Sequence, residues 1–222
     1  MSKHRLALFD LDHTLLSGDS DVLWCEFLMA KGVLDREAFA ARNADMERRY
    51  REGTVGTKEF AHFYLGLLAG KTPAHWEPLR QEFLVSQVVP RIPPAAVALV
   101  DKHIDAGDLV IMTTATSRFI TELTAVYFGI EHLLAIEPEI ADGVFTGVST
   151  GVLNMRSGKV ERLHEWLASH SHELAKFRST AYSDSINDLP LLEAVDEPIA
   201  VDPDPRLAQI AQQRGWQILR LH

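Results

Sequence analysis

Only one cysteine, Cys25, occurs in the 222 residues, so no internal disulfide can form. Its neighbours Val22, Leu23, Trp24, Phe27 and Leu28 give it the surroundings of one side of a buried helix, where a thiol packs as a small apolar group. No segment approaches the roughly 18 uninterrupted apolar residues that a bilayer crossing needs, so no membrane partner is expected. The stretch from Lys3 to Leu16 opens on basic residues as a secretory leader does, but Asp10 and Asp12 break its apolar part. A reducing, cytoplasmic setting is the expectation. Basic side chains are also scarce, 22 against 31 acidic ones for a formal net charge of −9, and no long basic stripe could neutralise a phosphate backbone. Nucleic acid is thereby excluded as the expected partner. Internal repeats and low-complexity segments are lacking too.

What is present suits a globular chain: 46% hydrophobic and 24% charged residues allow one full core and a small accessory domain. Four short apolar runs read as buried strands: Leu6 to Phe9, Leu109 to Met112, Ala181 with Tyr182, and Ile199 to Val201. Helical patterns separate them, and that alternation predicts an α/β fold, a Rossmann-like parallel sheet. Between the first two runs the chain is rich in Ala, Leu, Glu, Arg and Phe at helical spacing. This interval is read as an inserted helical cap, with helices over Asp21 to Ala30, Arg36 to Arg51, Thr57 to Leu68 and Ala74 to Ser86. Val89 to Pro94, with three prolines, is the expected return linker. The predicted division is a core of 1–16 and 91–222 around a cap of 17–90. A helix from Ala95 to Ala106, a β-hairpin over Ile136 to Thr150 turning at Asp142-Gly143, and a last strand from Trp216 to Leu221 complete the prediction.

In open α/β sheets the working residues collect beyond the carboxyl ends of strands. Asp10, Thr114 and Asp184 each follow an apolar run; Asp12, Lys159 and Asp188 lie close by in sequence. Four carboxylates meeting in one pocket repel each other unless a cation holds them, and hard oxygen donors select Mg²⁺. A hydroxyl and an ammonium suit the oxygens of a phosphoryl group. The set points to phosphoryl chemistry.

Asp10-Leu11-Asp12-His13-Thr14 resembles the DxDxT motif of the haloacid dehalogenase-like hydrolases. The remaining motifs follow in order: Thr114 resembles the strand-end hydroxyl of the second, Lys159 in Ser157-Gly158-Lys159-Val160 the third, and Ser183-Asp184-Ser185-Ile186-Asn187-Asp188 the fourth. A cap placed between the first two motifs is similar to that of the phosphoserine phosphatase-like branch. The resemblance implies an aspartyl-phosphate formed on Asp10, with Asp12 as proton donor and then base. It places Mg²⁺ on Asp10, the backbone carbonyl of Asp12 and Asp184, the phosphate on Thr114 and Lys159, and Asp188 and Asn187 in supporting positions. Thr113 replaces Thr114 if the strand register shifts by one. Asp12 also argues against dehalogenation, since a departing halide needs no proton.

Asp19 stands where phosphoserine phosphatases carry a glutamate that meets the substrate ammonium, one methylene shorter here, so a phosphoserine- or histidinol-phosphate-like metabolite is the expected partner. A phosphomutase sharing the same intermediate is the alternative, and a phospho-acceptor signalling domain or a non-catalytic binding protein are readings of other classes. His170-Ser171-His172 is set aside as a polar helix end, because its spacing does not bring both rings to one helical face. The cluster Glu47 to Glu52 reads as a solvated face, with one of its arginines reaching an anionic group of the substrate as the alternative.

Overall fold

Leu6 to Phe9 are buried without exception because they belong to β1 (His4–Phe9), the middle strand of a seven-stranded sheet in the computed structural model, which describes residues 4–222. Residues 1–3 of the expected core segment lie outside that description. The other strands are β2 (Leu109–Ser117), β3 (His132–Ala141), β4 (Val144–Thr150), β5 (Phe177–Ser183), β6 (Glu197–Val201) and β7 (Gln217–Leu219). Their order is β4-β3-β2-β1-β5-β6-β7, parallel throughout except for β4, which returns antiparallel to β3. β1 pairs with β2 on one side, Phe9 opposite Met112, and with β5 on the other, Phe9 opposite Tyr182. The order reverses at β1, so the carboxyl ends of β1, β2 and β5 face a common crevice, where an open α/β sheet binds its ligand.

Helices α5 (Pro94–Asp105), α6 (Arg118–Tyr127), α7 (Ser157–Ser169), α8 (Leu189–Ala194) and α9 (Pro205–Arg214) cover the sheet. The hairpin forms as predicted, with positive φ at Asp142 and Gly143, 50° and 79°. Several strand limits differ from the sequence reading: β1, β3, β5 and β6 begin two to four residues earlier than expected, and β2 and β7 end elsewhere. β2 does not stop at Met112 but continues to Ser117, because β3 outside it still offers a partner, Ile136 opposite Ser117. β7 holds three residues only, since the amides of Leu221 and His222 turn to the carboxylate of Asp202 at 2.7 and 3.1 Å.

The interval between β1 and β2 is helical, as expected: α1 (Ser20–Ala30), α2 (Arg36–Arg51), α3 (Thr57–Leu65) with a 3₁₀ turn at Gly66–Leu68, and α4 (Pro73–Phe83). Short polar side chains begin three of them: Asp19 accepts from the amide of Val22, Asp35 from Glu37 and Ala38, and Thr72 from His75. Trp24 anchors the interior of the cap, edge-on to Phe83 at 5.1 Å and to Trp76 at 6.1 Å. Cys25 is buried in α1, in agreement with its sequence context.

The return linker differs from expectation. Past α4 the chain stays helical as a π-turn at Leu84–Val88 and a 3₁₀ turn at Val89–Arg91. Pro90 supplies the reason: it lacks an N–H and its ring would strike the carbonyl four residues back, so the helix changes pitch rather than running on as α. The cap is fastened to the core by backbone bonds between Gly70 N and Phe145 O (2.8 Å) and between Phe145 N and Lys71 O (2.9 Å). Arg80 adds a bond to the carbonyl of Phe119 at 2.9 Å, and Arg156 one to that of Val55 at 3.1 Å. Among the described residues no single helix is long and apolar enough to cross a membrane.

Candidate active site

Asp10 is the residue after the last one of β1, and its backbone amide still donates to the carbonyl of Tyr182 at 3.0 Å. The side chain therefore leaves the sheet at its carboxyl edge, where β1, β2 and β5 open into a cavity of ≈ 490 Å³. Asp10, Asp12, Asp19, Lys159, Asp184 and Asp188 all line that space. Residues spread over nearly the whole chain meet there because each follows a strand or starts a helix at this one edge.

Lys159 is clamped between two carboxylates. Its ammonium donates to Asp10 Oδ1 at 2.8 Å and to Asp188 Oδ2 at 2.6 Å, and all three side chains are buried. Burial alone would lower the Lys159 pKa, but the two carboxylates outweigh it and hold the ammonium charged. Ser183 fixes the far side of the clamp by donating to Asp188 Oδ2 at 2.8 Å. Thr14, part of the first motif but given no role from sequence, places its hydroxyl 3.1 Å from Asp10 Oδ2 and 3.3 Å from Asp184 Oδ1, while accepting from the Asp184 amide at 3.0 Å. It ties the end of β1 to the end of β5.

The position of Lys159 depends on Gly158. A Cβ built there would stand 2.0 Å from the carbonyl oxygen of Leu153, so only glycine lets the start of α7 approach the preceding turn. Gly158→Ala is expected to lower stability by about 1–3 kcal/mol through this clash and to reduce turnover by moving the ammonium. Thermal unfolding and steady-state rates check both effects.

Asp12 faces away from Asp10. Its Oδ1 accepts from the amide and the hydroxyl of Ser20, and its Oδ2 from Thr116 Oγ1 at 2.9 Å and Thr114 Oγ1 at 3.3 Å. Thr114 is wholly buried, and it is Ala115 and Thr116 that line the cavity at this point of β2. The Thr113 hydroxyl is engaged elsewhere, accepting from Asn154 Nδ2 at 3.0 Å. Asn187 does not join Lys159 either: its side-chain amide donates to the carbonyl of Tyr50 at 3.0 Å, linking the fourth motif to the cap. Asp19 both lines the cavity and caps α1 through Oδ1, 3.0 Å from the amide of Val22.

Several lining residues carried no functional signal in the sequence. Tyr50 and Phe60 come from the cap, their rings 4.3 Å apart. Within the charge cluster Arg48 pairs with Asp45 and Glu52, and Arg49 with Glu59. Arg51 is the arginine of the cluster that lines the cavity, beside Tyr50 and Glu52, 2.8 Å from His13 Nε2 and 2.9 Å from Glu47. Asp204 organises the fourth motif from beyond β6: its amide donates to the carbonyl of Asp184 at 2.8 Å and its Oδ2 accepts from the amide of Ile186 at 2.6 Å. The His170-Ser171-His172 segment lies away from all of this, with His170 closing α7 and stacked on Trp166 at 4.0 Å.

The charge balance is unequal. Asp10, Asp184 and Asp188 are three acids around one ammonium. Burial pushes the Asp10 carboxyl up to about 7 against the pull of Lys159, with Asp188 and Asp12 adding to the rise. Asp184 is driven well above the ordinary range by burial, then by Asp10 and Asp188. Among the described residues no three carboxylate, imidazole or thiolate side chains form a metal cage by themselves. The buried excess of carboxylate oxygens fits a hard cation such as Mg²⁺, which completes its shell with water.

These features define a hydrolase of one family. The model of the haloacid dehalogenase-like hydrolases matches residues 7–193, and the chain belongs to that family. It is similar to histidinol-phosphatase of Neisseria meningitidis serogroup C (strain 8013), 37% identical over 217 residues covering 97% of this chain and 98% of that one. It is also similar to phosphoserine phosphatase SerB1 of Mycobacterium tuberculosis (strain ATCC 25618 / H37Rv), 30% identical over 215 residues covering 96% and 69% of the two chains. A crystal structure of a protein of unknown function from Bordetella pertussis Tohama I superposes with a TM-score of 0.95 at 45% identity over the full length of both. The chain is a phosphatase, a phosphoric monoester hydrolase of the phosphoserine phosphatase-like branch.

Proposed function

We propose that this phosphatase hydrolyses a small, ammonium-bearing phosphate monoester through an aspartyl-phosphate on Asp10, with histidinol phosphate as the favoured substrate. The observation that carries the reading is Asp10 itself, a buried carboxylate at the end of the central strand with Lys159 at 2.8 Å. Asp10 attacks phosphorus, and the phosphoryl group passes from the substrate oxygen to the carboxylate. Lys159 holds the phosphate, its ammonium offsetting charge on the phosphate oxygens, while Thr114, buried beneath the cavity wall, supports Asp12 instead. Asp12 gives a proton to the leaving oxygen, then accepts one from the water that hydrolyses the acyl phosphate. Asp10, Asp184 and the carbonyl of Asp12 would hold Mg²⁺. When bound, Mg²⁺ offsets phosphoryl charge as a Lewis acid.

The substrate preference rests on the cap side of the cavity. Asp19 presents a buried carboxylate, and Tyr50 and Phe60 present ring surface that suits a flat heterocycle. The 37% identity to a histidinol-phosphatase supports the same choice, and phosphoserine is the second reading through the relative that bears that name. The test is phosphate release from histidinol phosphate, phosphoserine and glycerol phosphate, with Mg²⁺ and after chelation. The ammonium-bearing esters should lead by more than about tenfold in kcat/KM, the scale of one well-placed charge contact. Equal rates on glycerol phosphate, or undiminished rates in chelator, would sink the reading. A cytoplasmic location accords with such a metabolite.

Asp19 also sets a stability prediction. Burial raises its carboxyl to about 8, with Asp12 adding to the rise and the Val22 amide opposing it. The folded state thus binds a proton more tightly than the unfolded chain, whose aspartate titrates near 3.8. Folding stability from this group is full below that value and is lost as pH rises toward about 8. Asp19→Asn keeps a helix-capping oxygen and should raise the melting temperature more at pH 8 than at pH 5. Its KM for an ammonium-bearing substrate should rise, as kinetics on the same variant will report.

A further inference from the structure

Behind Asp12, on the side away from the nucleophile, a second buried acid faces a small space. Asp21 lies in the first turn of α1, only 2% exposed, and no cation among the described residues pairs with it. Its Oδ2 is 3.2 Å from Thr116 Oγ1, the same hydroxyl that stands 2.9 Å from Asp12 Oδ2. A hydroxyl has one proton to give. The shorter contact takes it, so Thr116 donates to Asp12, and the contact to Asp21 is a hydrogen bond only if Asp21 supplies the proton. Burial, with the carboxylates of Asp19 and Asp12 nearby, favours that protonated state.

The other oxygen of Asp21, Oδ1, has no hydrogen-bond partner among the described residues, and neither do the hydroxyls of Tyr64 and Ser117. All three residues are buried and border one cavity of ≈ 10 Å³, walled otherwise by apolar groups such as Ala61, Leu65 and Ile136. A space of roughly 10–15 Å³ with two or more polar neighbours is what a single buried water occupies. Three orphaned polar groups from α1, α3 and β2 converge on a place of that size.

We propose that Asp21 is a positioning residue for Asp12: a neutral carboxylic acid, steadied by one water shared with Tyr64 and Ser117, whose O–H fixes the Thr116 hydroxyl so that its proton points at Asp12. This rests on the role of Asp12 as proton carrier. It also makes the cap a direct participant in orienting that carboxylate, because Asp21 and Tyr64 both belong to cap helices.

The decisive comparison is Asp21→Asn against Asp21→Leu. An asparagine amide donates to Thr116 and accepts from a water as the neutral acid does, so its kcat should stay within about twofold of wild type. Leucine removes the donor, and kcat should fall at least about tenfold with KM changed less than twofold, a part of what general acid–base catalysis contributes. Because Asp21→Leu removes polar support from a buried junction, a measurement that does not need it runs alongside. The infrared difference between wild type and Asp21→Asn at neutral pH should contain the carbonyl stretch of a protonated carboxylic acid. Loss of turnover in Asp21→Asn, a rise in KM as the main effect, or a carboxylate band in its place overturns the proposal. Asp12→Asn in the same assay separates the two ideas: if it keeps wild-type kcat, the role of Asp12 fails independently of what Asp21 does.

Discussion

Asp10→Asn should lose phosphatase activity by at least about three orders of magnitude, the scale on which removal of a covalent nucleophile is felt, while remaining folded. The two halves of this expectation have different causes. The amide cannot attack phosphorus to make an acyl phosphate, so no acid-stable protein-bound phosphate should be trapped from labelled substrate. The fold, by contrast, loses one of three buried acids gathered around one ammonium, and Lys159 keeps Asp188 at 2.6 Å. The Asp10 carboxyl, raised to about 7 by burial, opposes folding progressively as pH rises from 3.8 toward that value. In chelator at pH 8 the variant should therefore melt no lower than wild type. Turnover persisting in Asp10→Asn would remove the covalent mechanism.

Lys159→Met reverses that pattern. Asp10 and Asp188 would be left buried without their shared cation, and breaking a buried ion pair by deleting one partner costs about 3–5 kcal/mol. The melting temperature of the metal-free protein should drop sharply, and turnover should fall by about 10²–10³-fold, the cost of removing one electrostatic stabiliser. Added Mg²⁺ should recover part of the stability and little of the rate, since a cation can balance the carboxylates without standing where the ammonium does. Arginine should not substitute, because a planar guanidinium cannot sit between Oδ1 of Asp10 and Oδ2 of Asp188 as a compact ammonium does. Unchanged melting in Lys159→Met would show that the clamp carries no folding energy.

How much of this could be read beforehand depended on the range of the signal. Asp10, Lys159, Asp184 and Asp188 were legible because each follows an apolar run or opens a helix, and their chemistry is carried by the side chain itself. Thr14 and Ser183 stood inside recognised motifs, yet their work is a hydrogen bond to a residue of another strand or loop, which one-dimensional spacing does not encode. Asp204 was hidden for the same reason: it serves Asp184 from across β6. Tyr50, Phe60 and Arg51 reach the cavity only through the way α2 and α3 pack, so a charge cluster such as Glu47 to Glu52 looked uniform although its arginines face different partners. Strand ends were misjudged where a neighbour decided them. The polar run Thr113 to Ser117 extends β2 because β3 continues beside it, and the last strand stops early because Asp202 captures the amides that would have extended it. At Pro90 a proline-rich composition predicts a linker, but the chain stays helical to Arg91, because a proline can change the pitch of a helix as well as end it.

The amide of Ser17 donates to the carbonyl of Arg91 at 2.9 Å, so the chain leaves the core after β1 and re-enters it ahead of α5 at a single point. Everything between those two residues is a cassette. A short loop could close the gap, and a foreign helical insert could occupy it, without altering the paths of β1 and β2. Asp10, the lysine clamp and the fourth motif all lie outside the cassette, whereas Asp19, Tyr50, Arg51 and Phe60 lie within it. Grafting experiments between relatives should therefore move ester preference with the insert, and keep turnover where the insert retains Ser20, Asp21 and Tyr64 behind Asp12.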